Sequence, residues 1–308
     1  MADIAIVILT FNEEANLPAA LDSVRGWASE VFVVDSFSTD STVDIALERA
    51  GDGVHVVQHA FLDYSKQWNW ALTSLPIRSA WTLKLDADEG VTDAFKLEVD
   101  QIIANASPGL EGVYFRRLFH FMGKPLYWGG VSSNYVMHLW RTGKAVFEDR
   151  AVNEHALVRG ETQRIGSFVE HHDFKSLADW IDKHNRYSSI EARCFIEGNV
   201  TGEVTPRIFG SPDERRMWWR RAFWAMPCRT LLYFLYRYLA RLGCLDGTAG
   251  LRYCYLHAAY RYWTTLKVAE YDLRGVMPEV RWAARGEPHP TVARSPLQKL
   301  VESAKRAA

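Results

Sequence analysis

The chain has 308 residues, 48% of them hydrophobic and 24% charged, with a formal net charge of -1. A chain of this size and composition buries a sizeable core as one large domain, or one domain with an appendage, and has no overall field to draw it to nucleic acid. Cys194, Cys228, Cys244 and Cys254 show no CxxC or Cys/His spacing, which argues for reduced thiols and against a zinc centre.

Ile4 to Leu9 (IAIVIL) and Val31 to Val34 (VFVV) are continuous apolar runs, and between them Leu17, Leu21 and Val24 recur on one helical face. The pattern predicts strand, helix, strand. A helix over Ser41 to Ala50, a strand near Val54 to Val57, a helix over Ser65 to Leu75 and a strand over Trp81 to Leu85 continue it. Strands without alternation, separated by helices, imply a parallel sheet covered on both faces. Ligands of such sheets sit beyond the carboxyl ends of the strands. The residues expected there are Thr10 to Glu13, Asp35, and Asp86-Ala87-Asp88.

Beyond residue 110, strand-like segments at Gly112 to Leu118 and Tyr135 to Trp140 are separated by Gly123, Pro125, Gly129 and Gly130, which predicts a mixed sheet with long loops. A helix is expected over Leu177 to Arg193. From Glu214 to Glu270 the composition turns to arginine and aromatic residues and reads as a helical appendage. No run of about 18 apolar residues is present to span a bilayer, but basic and aromatic residues on amphipathic helices favour an anionic membrane surface. The alternative is that these helices pack on the catalytic domain or on a second subunit. The opening residues lead directly into a strand with no basic leader, so a cytoplasmic location is expected.

The stretch WTLKLDADEGV places Asp86, Asp88 and Glu89 at the end of a buried strand. Two carboxylates one residue apart can hold Mg2+ or Mn2+ together with phosphate oxygens. An acidic helix start facing water would look the same; the register with Asp35 favours the metal. Asp40 or Ser41 is expected to cap the helix after the second strand.

The ordered series ILTFNEEANL, VVDSFSTDST, YSKQWNWAL and WTLKLDADE resembles the family 2 inverting glycosyltransferases of the GT-A fold. Within them it resembles the branch of bacterial lipopolysaccharide-core β-1,4-glucosyltransferases. VNEHALVRG, KHNRYSSIEA and LGCLDGTAGL extend the likeness over nearly the whole chain. The resemblance implies an α/β GT-A catalytic domain over 1–205, its mostly parallel sheet becoming mixed towards the C-terminal part, and a membrane-interface appendage of amphipathic helices over 206–308. It implies a nucleotide-diphospho-sugar donor, a UDP-sugar first among them, with Thr10, Asn12, Glu13 and Asp35 near the nucleoside. Lys66, Gln67 and Asn69 would lie along the donor; equally, they could be the wet side of a helix that turns Trp68 and Ala71 inward.

On the same resemblance Asp88, assisted by Asp86, holds the metal, with His172 (or its neighbour His171) close to the metal or diphosphate. Glu154 in VNEHA matches the element that carries the catalytic base, with Asp149 as runner-up among Glu148, Asp149, Glu154 and Asp173; Asn153 stands where that branch commonly has histidine. The implied acceptor is a saccharide on a lipid, met at the inner face of the cytoplasmic membrane, with self-association left open. Trp128, Gly129 and Gly130 are candidates for the acceptor surface. Two other readings remain open: a sugar-1-phosphate nucleotidyltransferase, although TFNEEANL lacks the glycine-rich basic loop, and a non-catalytic membrane scaffold.

Overall fold

The computed structural model describes residues 2–148, 155–197, 209, 228–280 and 286–307. They form two compact units, 1–123 with 132–174 and 284–308, and 124–131 with 175–283. This division differs from the expected cut after residue 205.

The first unit begins with the expected alternation: β1 (Ala2–Thr10), α1 (Leu17–Val24), β2 (Ala28–Asp35), α2 (Thr42–Glu48), β3 (Val54–Gln58), α3 (Tyr64–Ser74) and β4 (Trp81–Lys84). β1 pairs in parallel with β2 and β4, and β2 with β3, so the carboxyl ends of all four strands share one edge. Both faces of β1 are apolar because both are covered. Ile4, Ile6 and Ile8 join Leu17, Leu21, Val43 and Phe95 in one core, while Ala5 and Val7 join Trp68, Ala71 and Trp140 in another.

The chain continues through β5 (Glu89–Val91), α4 (Asp93–Asn105) and β6 (Leu110–Phe121). After β7 (Lys124–Leu126), which belongs to the second unit, come β8 (Tyr135–Arg141), the hairpin β9 (Val146–Phe147) with β10 (Ala156–Leu157), and β11 (Glu161–His172). β8 lies antiparallel between β4 and β6, β11 runs parallel to β6, and the short β5 pairs antiparallel with β11. The fold is therefore the mixed α/β class expected. β11 is an addition: its first four residues are exposed, so the sequence carries no apolar run there.

The second unit contains α5 (Leu177–Ile196), α6 (Arg229–Leu235) and α7 (Gly247–Arg274). Ser176 and Asp179 cap α5 reciprocally, satisfying two backbone donors at its start. Arg261 on α7 holds both carboxylate oxygens of Glu191 on α5, at 3.0 and 3.2 Å. Lys267 Nζ donates to the hydroxyls of Ser188 and Ser189 and to the Asn185 carbonyl, each at 2.7 Å. These paired charged groups fix α5 and α7 against each other. The chain ends in α8 (Pro290–Arg294) and α9 (Pro296–Ala307), which return to the first unit. The stretch 214–227 of the arginine-rich segment lies outside the described residues, and among those described no helix is long and apolar enough to cross a membrane.

Candidate active site

At the shared edge Thr10 and Asp35 face each other in register. Asp35 is fully buried, and its four lone-pair positions are all occupied. Oδ1 accepts from Thr10 Oγ1 at 3.1 Å and from the Ser38 hydroxyl, and Oδ2 accepts from Ser38 N at 3.0 Å and Gln58 Nε2 at 2.9 Å. A carboxylate offers about four such positions. Asp35 thus organises the loop after β2, and a ligand would have to displace a bond to reach it.

Asn12 sits at φ +56°, a left-handed conformation that asparagine tolerates better than most residues. Its N–H donates to Ser38 Oγ at 2.9 Å and its Oδ1 accepts from Thr39 N at 2.8 Å. Glu13 N donates to Thr42 Oγ1 at 2.7 Å, and the Glu13 carboxylate accepts from Asn16 Nδ2 at 2.8 Å. Asp40, the residue before the N-cap Ser41, accepts from Thr42 N at 3.0 Å, whereas Ser41 makes no side-chain cap bond. The loops after β1 and β2 are therefore stitched into one wall.

On α3, Lys66 is exposed and pairs with the N-cap Asp63 at 2.8 Å. Asn69 is fully engaged elsewhere: its Nδ2 donates to the Phe147 carbonyl at 2.9 Å and its Oδ1 accepts from Phe147 N at 2.8 Å. Trp68 and Ala71 are buried as the wet-helix alternative has it, but so is Gln67, which that alternative put in water. Gln67 bonds His59 Nδ1 at 2.8 Å.

The backbone of the acidic turn is held at Leu85, Asp86, Asp88 and Glu89. Leu85 N donates to the Val7 carbonyl at 3.1 Å, Glu89 N to the Asp86 carbonyl at 2.9 Å, and His172 N to the Asp88 carbonyl at 2.7 Å. Asp86 N donates to Glu89 Oε2 at 3.0 Å. Around the carboxylates stand Lys84 Nζ, 3.8 Å from Asp86 Oδ1, and Arg117 Nη1, 3.4 Å from both Asp86 and Glu89. Burial would raise the Asp86 carboxyl, but Lys84 and Arg117 outweigh it and hold the group well below the usual carboxylate range. Burial and the Asp86 charge instead push Glu89 up to about 8. His138, beneath them on β8, is kept neutral by burial and by the charges of Lys84 and Arg117.

His171 Nδ1 lies 3.3 Å from Asp88 Oδ1. The expected third member, His172, projects away, its Nε2 3.3 Å from Glu170. Successive strand residues point to opposite faces, so only one of two neighbouring histidines can meet Asp88. Two carboxylates and an imidazole at this strand edge match a divalent cation in donor type and charge, but their ligand atoms do not all lie within 4.8 Å of one another. Lys84 and Arg117 escaped the sequence reading, although a lysine inside the buried run TLKLD was a signal. Glu154 and Asp149 lie outside the described residues. Asp173 accepts from Asn16 Nδ2 at 3.2 Å.

The sequence model of glycosyl transferase family 2 matches residues 5–165, more than half the chain, including Thr10, Asp35, Asp86 and Asp88 but not His171. The chain belongs to glycosyl transferase family 2. An uncharacterized glycosyltransferase of Rickettsia typhi is 28% identical over 207 residues, 64% of this chain and 69% of that protein. One of Rickettsia bellii is 39% identical over 102 residues, 33% of each chain. Among solved structures, the mannosyltransferase PcManGT from Pyrobaculum calidifontis, in complex with GDP-Man and Mn2+, is similar at 15% identity with TM-score 0.49, covering 87% of both chains. S. aureus TarS 1–349 in complex with UDP-GlcNAc is similar at 14% identity with TM-score 0.43, covering 89% of this chain and 92% of that one. Family membership and the observed sheet make this the GT-A architecture expected from the sequence.

Proposed function

We propose that the chain is an inverting hexosyltransferase that moves a sugar from a nucleotide-diphospho-sugar, a UDP-sugar first among candidates, to a lipid-linked saccharide of the cell envelope. The observation that carries this reading is the acidic turn after β4. There Asp86 is held ionised by Lys84 and Arg117, with Asp88 beside His171 on the same edge as Thr10 and Asp35.

In this reading Asp88, Asp86 and His171 would hold Mg2+ or Mn2+, whose charge would offset that gathering on the departing diphosphate. Asp35 acts as a positioning residue that fixes Thr10 and Ser38 at the nucleoside. Glu154 takes the proton from the acceptor hydroxyl oxygen as that oxygen attacks the anomeric carbon, and the diphosphate leaves from the opposite face. The row Leu231, Leu232, Leu235, Tyr236, Leu239 and Leu242, exposed on the second unit, supports contact with a membrane surface. Arg237 is turned inward, its Nε donating to the Gly129 carbonyl at 2.8 Å. The likeness to the lipopolysaccharide-core branch supports the choice of acceptor.

The deciding experiment measures binding and turnover of UDP-, GDP- and ADP-sugars with each metal, for the wild type, Asp88→Asn and Glu154→Gln. Use of one donor that Asp88→Asn abolishes, with donor binding retained but transfer lost in Glu154→Gln, establishes the reading. A folded protein that binds no donor refutes it.

A further inference from the structure

The other face of the same strand ends carries a second group of side chains. His120 on β6 is opposite His172 on β11 in a parallel register, and Glu170 is two residues before His172. In-register neighbours and residues two apart on one strand project to the same side. His120, Glu170 and His172 therefore share a face, and His171, with Asp88 and Phe119 against it, takes the opposite one.

The two imidazole rings stack with centroids 3.5 Å apart and planes 19° apart, and Glu170 Oε2 lies 3.3 Å from His172 Nε2. One ligand atom from each of the three lies within 4.8 Å of the others. The Nδ1 atom of His120 is buried and makes no hydrogen bond among the described residues. Phe174 stacks along His172, centroids 5.7 Å apart and planes 11° apart, which limits how far that ring can swing. All three ligand residues remain partly exposed, so an ion can enter and a water can complete its coordination.

We propose that His120, Glu170 and His172 form a second divalent-metal site, selective for Zn2+ and related ions and separate from the carboxylates of the β4 turn. Two imidazoles and one carboxylate are a donor set for zinc, whereas the β4 turn offers chiefly the oxygens that magnesium and manganese take. The cysteine spacing that argued against zinc does not bear on this site, which uses no thiolate. An ion here would tie the end of β11 to β6. It would thereby steady the backbone at His171 and His172, whose N–H holds the Asp88 carbonyl.

The test titrates Zn2+ into chelator-treated protein by calorimetry and follows Co2+ substitution by absorption. The variants are Asp88→Asn, which removes a carboxylate of the β4 turn, and His120→Phe and Glu170→Gln, which remove a proposed ligand; His120→Phe keeps the stack. Asp88→Asn should retain one tight equivalent of zinc and the visible d–d bands of cobalt. His120→Phe and Glu170→Gln should each weaken zinc by at least about 10–100-fold, the range seen when even outer partners of a metal are lost. Undiminished zinc binding in both of these variants would overturn the proposal. So would absence of binding in the folded wild type, or a thiolate charge-transfer band placing the ion on the exposed Cys228. If one variant fails to fold by circular dichroism, the other carries the same test. Neither result depends on the transferase reading, because no sugar donor is used.

Discussion

Gln298 pairs with Gln58 as a neighbouring strand would. Gln58 N donates to Gln298 Oε1 at 2.9 Å and Gln298 Nε2 donates to the Gln58 carbonyl at 3.0 Å. The side chain of Gln58 then reaches Asp35 Oδ2 at 2.9 Å and accepts from His289 N at 2.7 Å. One amide from the last helix thus closes the open edge of β3, which would otherwise offer unpaired backbone to another chain. It also stands one residue away from the Asp35 network.

Gln298→Ala should therefore lower stability by about 1–3 kcal/mol, the cost of unpairing buried polar groups, and raise the donor KM more than it changes kcat. Urea melts together with donor saturation curves check both. An unchanged melt would mean that water replaces the amide without loss.

Asn69 bonds both backbone groups of Phe147 and so supports the β9 hairpin. Asn69→Ala should cost about 1–3 kcal/mol in unfolding experiments, since the Phe147 N–H and carbonyl lose their partners together. Asn69→Asp should lie between, keeping the acceptor and losing the donor. If Asn69 instead touches the donor, Asn69→Ala will weaken donor binding while leaving stability intact.

Asp246, in the segment LGCLDGTAGL, holds two backbone groups of the loop after β7. Its Oδ1 accepts from Tyr127 N at 3.1 Å and its Oδ2 from Trp128 N at 2.9 Å. Gly129, next in the chain, has φ +69° and donates to the Arg241 carbonyl at 2.8 Å. Asp246→Ala should destabilise the second unit by about 1.5–3 kcal/mol, as expected for hydrogen bonds to a charged acceptor. The loss should appear as increased protease cleavage near Tyr127.

His257 predicts a pH dependence. Burial, helped by Arg237 and Arg261, holds this ring well below its ordinary value. The unfolded chain then takes up a proton near pH 6.5 that the folded protein refuses. Stability is full above that pH and declines as the pH falls below it, by up to about 1.4 kcal/mol per unit for one proton. In His257→Phe the decline between pH 6.5 and 5 should be shallower by that single-proton share, read from melts at fixed ionic strength.

The parallel half of the sheet was legible because its strands are covered on both faces, so β1 and β2 carry unbroken apolar runs and β4 is buried throughout although Thr82 and Lys84 interrupt its apolar residues. Asp35 and the acids after Leu85 could be placed from that alone, since the ends of parallel strands share an edge. β11 was not legible: its first half is polar and exposed, so nothing revealed that His171 and His172 lie in a strand and point apart. Asn69 and Gln298 were opaque for another reason. A side-chain amide bonded to backbone leaves no periodic trace, and on a helix it resembles any wet residue.

The hydrogen bonds that hold the turn from Leu85 to Glu89 give it a fixed shape before anything arrives. The backbone need not be ordered on association, and its amide protons should exchange as slowly as those of the sheet beside it. A surface of this kind recognises by template. It accepts ligands whose charges already match its spacing, and a change of partner over evolution would have to be written into the walls around it.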